Sequence, residues 1–125
     1  LILVTYGVTA MRLAIIALML MFGSQAAAEC GNLCESSWWD AATTEDVQAE
    51  LDGGADVMAR DEYGHTPLHW AALAGTPANI QALLDAGADA KAKNKEGKTP
   101  WDLAQRNATL KGTKGYWALN DAQYN

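Results

Sequence analysis

The clearest hydrophobic periodicity lies between residues 66 and 87. Leu68, Ala71 and Ala72 fall on one side of a helix, and Ile80, Leu83 and Leu84 share one face of another. Both stretches open the same way. Thr66 before Pro67, and Thr76 before Pro77, set an N-capping hydroxyl ahead of a ring that presets the helical φ. Gly75 and Gly87 stop them. The spacing predicts two short helices joined by a tight turn. Gly64, just upstream, permits the turn that ends a finger-like loop. A helix pair of about 20 residues cannot bury its own apolar face, so a neighbour must cover it on each side.

Neighbours are visible in the sequence. Gly54-Ala55-Asp56-Val57 returns as Gly87-Ala88-Asp89-Ala90, a shift of 33 residues. Gly64-His65-Thr66-Pro67 returns as Gly97-Lys98-Thr99-Pro100 with the same shift, and Val47-Gln48-Ala49-Glu50-Leu51 as Ile80-Gln81-Ala82-Leu83-Leu84. Three separate segments agreeing on one period signal a stacked repeat architecture.

The unit resembles the ankyrin repeat. Asp61-Glu62-Tyr63-Gly64-His65-Thr66-Pro67-Leu68-His69-Trp70-Ala71-Ala72 is similar to that family's opening, and Ala86-Gly87-Ala88-Asp89 to its close. The resemblance implies an all-α solenoid of about three stacked helix-turn-helix units with finger loops. Residues 61–93 are the full repeat and residues 29–60 an N-terminal cap, in which only the second helix and Gly54-Ala55-Asp56-Val57 fit. Residues 94–125 are a C-terminal cap whose second helix degrades into Lys111-Gly112-Thr113-Lys114-Gly115. Four of the five tryptophans, Trp38, Trp39, Trp101 and Trp117, fall in the caps. They read first as extra burial for a minimal stack. The alternative is an aromatic patch for a glycan, built from Trp38, Trp39 and Trp70.

The remaining chemistry is sparse. His65 and His69 have the gap seen in some zinc sites, but one precedes the helix cap and the other lies inside the helix, so they do not share a helical face. The resemblance makes His69 a scaffold residue, hydrogen-bonded within the repeat, with Asp102 at the equivalent terminal position. Ser36 and Ser37 have no visible base, and no phosphate-cradling glycine loop or dinucleotide fingerprint is present. Neither catalysis, nor a metal, nor a cofactor is expected. Asn107-Ala108-Thr109 is a glycosylation acceptor triplet, meaningful only in a eukaryotic source.

What the resemblance does imply is recognition of another protein through the fingers and the concave helix surface. The contact positions fall on Glu62, Tyr63, His65, Leu73, Ala74 and Lys93, then on Lys95, Glu96, Lys98 and Arg106. Tyr63, His65 and Trp70 form the expected aromatic anchor, and Lys93, Lys95 and Lys98 face an acidic feature of the partner, since hot spots favour aromatic and cationic side chains. Tyr63, His65 and Lys98 are expected to point to solvent, while Leu68, Ala72, Leu83 and Leu84 hold the stack together. An inhibitor or immunity-type factor that blocks one enzyme would use the same surface.

The N-terminus and the charge place the protein. Met11-Arg12, the apolar run Leu13 to Phe22, and Ala26-Ala27-Ala28 are the three parts of a secretory signal, so residues 1–28 read as a signal peptide. Residues 1–10 would be an upstream extension. The rival is a retained anchor, but it would carry Arg12 in mid-membrane at a cost of about 3 kcal/mol. Of the nine Lys and Arg only Arg12 precedes Glu29, and all fifteen Asp and Glu lie at or beyond it. Cleavage therefore takes the net charge from −6 to −7. That balance argues against nucleic acid and against a membrane surface once the signal is removed, because both want a positive field. A monomer in the periplasm or secreted is the expectation. Export permits a disulfide between Cys30 and Cys34, a small ring worth about 2 kcal/mol by loop entropy.

Overall fold

The computed structural model describes residues 30–125; the expected signal peptide lies outside them. Every regular element among them is helical. Two 3-10 turns, Gly31–Cys34 and Ser36–Asp40, precede α1 (Thr44–Asp52), α2 (Pro67–Ala74), α3 (Pro77–Asp85), α4 (Pro100–Ala104) and α5 (Lys114–Ala122). The elements pack as two rows. The second 3-10 turn, α2 and α4 lie side by side in one row, and α1, α3 and α5 in the other, with α2 against α3 and α4 against α5 joining them. None of these helices is long and apolar enough to cross a membrane.

Threonines set the helix starts. Thr43, Thr66, Thr76, Thr99 and Thr113 are the N-caps of α1 to α5, each in extended backbone. Pro67, Pro77 and Pro100 follow at the first helical position, where no intrahelical N–H is needed. The apolar faces then close on each other. Leu68, Ala71, Ala72, Ile80 and Leu83 are fully buried, joined by Val47 below and by Ala104, Leu110 and Leu119 above. The two fully buried alanines of α2, Ala71 and Ala72, let its neighbours in the row approach closely. Leu84, expected in the interior, is only half-buried, because it lies at the margin of the face that Leu83 and Ile80 centre.

Each end departs from the repeat. At the N-terminal end the second 3-10 turn stands where a first helix would, and Trp39 fills the space it leaves. Its ring is 1% exposed and its indole N–H donates to the Leu33 carbonyl at 3.0 Å. Trp38 packs edge-on against it, centroids 5.0 Å apart. At the C-terminal end, Lys111-Gly112-Thr113-Lys114-Gly115 does not abolish the second helix. It delays it: Thr113 caps α5, which runs nine residues. Gly115 inside that helix is a packing residue, since a Cβ there would meet the Pro77 Cα at 2.7 Å. Its bare backbone lets α5 lie directly on the start of α3. Asn107 is buried and its amide donates to the carbonyls of Ala72 and Gly75 at 3.2 and 3.3 Å, so it is closed to glycosylation.

Candidate partner-binding surface

Two fingers project from the stack, and one hydrogen-bond pattern builds both. In the first, the Asp61 N–H donates to the His65 carbonyl at 3.0 Å, while Asp61 Oδ1 accepts from the N–H groups of Tyr63 and His65, both at 2.9 Å. In the second, Asn94 bonds Lys98, Glu96 and Lys98 in the same order. Gly64 makes the first turn possible, with φ 75° and the Lys95 N only 3.0 Å from where its Cβ would stand. The fingers are laced together: the Lys95 N–H donates to the Tyr63 carbonyl at 3.1 Å, and Arg60 Nη1 bridges the carbonyls of Gly64 and Lys93 at 3.2 and 2.7 Å.

This lacing decides what reaches solvent. Tyr63 does, at 59% exposure. His65 does not, contrary to expectation. Its side chain is 14% exposed, turned inward with its ring 4.8 Å from Trp70, edge to face, and 5.4 Å from the ring of His69. The reason is Asn94. That amide spends its oxygen on the two N–H groups of its own finger, so its nitrogen must donate, and His65 Nε2 accepts at 2.9 Å. The His65 proton therefore sits on Nδ1, which is buried without a hydrogen-bond partner; the nearest carboxylate, Asp61 Oδ2, is 3.9 Å away.

His69 is fully buried in α2. Its Nδ1 accepts from the Thr66 N–H at 3.1 Å, which leaves Nε2 to donate to the Lys98 carbonyl at 3.0 Å. Burial holds its pKa below the ordinary histidine value, assisted by His65 and Arg60 and opposed by the Lys98 carbonyl and Asp61. The two histidines thus meet without sharing a helical face, because the finger folds back over the start of α2. Among the described residues no group of three or more His, Cys, Asp or Glu is placed to hold a metal.

The other expected contact residues divide into two places. Trp70 is half-buried beside Tyr63, its indole N–H donating to Asp61 Oδ2 at 2.8 Å. Together these two line a groove of about 630 Å³ between the first finger and the 3-10 turns. Lys93, Lys95 and Arg106 are exposed elsewhere; Leu73 and Lys98 are half-buried, and Lys98 pairs with Glu96 at 3.2 Å. Lys98 is held back because its own backbone carries the finger bond and the His69 bond. Trp39 is closed to any ligand, which takes away one ring of the glycan patch.

Sequence reasoning overlooked the far wall of the groove: Cys30, Cys34, Glu35 and Ser36. Cys30 and Cys34 are paired, their Cα atoms 5.7 Å apart, within the usual span of a disulfide. No repeat pattern reaches these residues; only the short cysteine spacing marked them.

Residues 49–104 match the family model for ankyrin repeats. No curated protein matches the chain. The matched span holds the two laced fingers, the buried capping histidine and the helices α2, α3 and α4. The chain carries ankyrin repeats over residues 49–104.

Proposed function

We propose that this protein acts outside the cytoplasm, holding a partner protein on the surface around Tyr63 and Trp70 and performing no chemistry on it. Ankyrin repeats are protein–protein interaction modules. The observation that carries the finer reading is Tyr63. An aromatic residue with 59% exposure stands on a turn fixed by Asp61 and braced by the next finger, so it meets a partner with little entropy left to lose. Lys93 and Lys95, exposed on the neighbouring finger, suit an acidic feature of the same partner. Support for export comes from Met11-Arg12, the apolar run and Ala26-Ala27-Ala28, with the Cys30–Cys34 pair suiting an oxidising compartment.

Two measurements test this. N-terminal sequencing of protein from producing cells is expected to begin at Glu29 or within a residue or two. Recovery of an intact membrane-embedded chain would overturn export. Capture from the exported fraction is expected to recover a protein that Tyr63→Ala releases without changing the melting temperature. Equal capture by parent and variant would put the recognition surface elsewhere.

A further inference from the structure

The groove beside Tyr63 has a chemistry of its own. Its walls are the rings of Trp70 and Tyr63 on one side and the disulfide turn on the other, and its charged members are Glu35, Glu62, Asp61 and Arg60. Three carboxylates thus face one cation. The cation is engaged: Arg60 Nη1 is held by the carbonyls of Gly64 and Lys93, which tie it to the two fingers. Asp61 is likewise occupied by three N–H donors. Glu35 and Glu62 are exposed, and among the described residues neither has an ion pair or a side-chain hydrogen bond.

A groove with aromatic sides and free carboxylates fits one kind of guest. A lysine or arginine side chain has an apolar stem that lies along rings and a cationic head that seeks carboxylates or a ring face. A hydrated metal ion would make no use of the apolar faces of the aromatic walls, and an acidic or purely apolar segment would leave Glu35 and Glu62 opposed or desolvated. The volume, about 630 Å³, lies within the usual range of a ligand site and exceeds one side chain, which leaves room for the flanking backbone. We propose that the groove takes a lysine or arginine side chain from a basic segment of the partner protein. This rests on the interaction reading above and adds the chemistry of what is bound.

The test uses the full chain, 15N-labelled, with two synthetic probes: a fluorescein-labelled peptide of alternating Lys, Arg and Gly, and the same peptide with Glu at each basic position. The basic probe is expected to shift the Trp70 indole and Tyr63 amide resonances, and to weaken as salt rises. Glu35→Gln and Glu62→Gln are each expected to lower its affinity by about threefold, and the pair by about tenfold. Glu45→Gln with Asp121→Gln, the same loss of charge at distant exposed sites, is expected to leave affinity unchanged within about twofold. The proposal is overturned if the basic probe does not bind, if the acidic probe binds as well, or if the distant pair weakens binding as much as the groove pair. Shifts at the groove that grow with protein concentration alone would assign it to a second copy and also overturn it. Tyr63-dependent capture of a partner that is indifferent to Glu35→Gln and Glu62→Gln would sink this inference while leaving the interaction reading standing.

Discussion

Two helix starts one repeat apart, Thr66–His69 and Thr99–Asp102, solve the same local problem with different side chains. In both, the third helical residue reaches back to the N–H of the capping threonine: His69 Nδ1 at 3.1 Å, Asp102 Oδ2 at 3.0 Å. As caps they are equivalent. They differ in what the rest of the group does. The imidazole has a second nitrogen, which donates to the Lys98 carbonyl of the next finger from a fully buried position. The carboxylate can only accept, and it sits exposed. A histidine therefore serves where the helix start must also grip a following unit, and an aspartate where capping alone is asked. Neutrality matters as well, since a buried carboxylate without a cation is costly and a buried neutral ring is not.

The severest way to break this comparison is to put the terminal solution in the interior. His69→Asp removes the donor to Lys98 and buries a charge, so it is expected to cost about 3–5 kcal/mol. Urea unfolding would show it as a large drop in midpoint or as loss of a cooperative transition. A near-parental midpoint would mean that the Lys98 bond contributes nothing.

Acid should produce a smaller effect through the same ring. The unfolded imidazole takes up its proton near pH 6.5, and the buried one only at lower pH. Between those values the unfolded state binds more protons, so stability falls as pH falls; below the folded value the loss stops growing. The contribution is intact above about pH 6.5. Thermal melts are expected to show this decline in the parent and a flatter profile in His69→Gln, whose amide can both accept and donate. Identical profiles would remove His69 as the source.

The terminal start yields less. Thr99→Ala is expected to cost about 1 kcal/mol, the usual worth of a capping hydroxyl, read as a shift in urea midpoint with unchanged slope. Asp102→His should move stability by no more than about 0.5 kcal/mol, because an exposed imidazole can cap in its place. A loss as large as that from His69→Asp would show that the two positions are not alternatives in the sense argued.

How far the sequence was legible follows from the same distinction between local and relayed effects. The limits of α2 and α3 could be read because Thr66-Pro67, Gly75, Thr76-Pro77 and Gly87 are signals each helix carries in itself. α5 was misread because its cap, Thr113, comes four residues later than the repeat would put it, and because Gly115 looks like a breaker until Pro77 is seen against it. The N-terminal turns carry no capping signal, so their part in the groove was invisible apart from the cysteines. His65 is the most instructive case. Its own finger gives no reason to bury it; the reason is the amide of Asn94, 29 residues away, whose orientation is set by a second finger. Such a relay cannot be read from one unit of the pattern.

The tryptophans give the molecule an optical asymmetry. Trp39 at one end is sealed from water and bonded to a backbone carbonyl, while Trp117 at the other is 53% exposed beside Trp101 and Tyr116. A sealed indole emits at shorter wavelength and escapes a dissolved quencher such as iodide; a wetted one emits further to the red and does not. Trp39 and Trp117 are therefore the two extremes of one emission spectrum, with the partly buried Trp38, Trp70 and Trp101 between them. If the N-terminal turns loosen before the helices, the emission of Trp39 should move from the blue edge into the quenchable red while the helical signal is still intact.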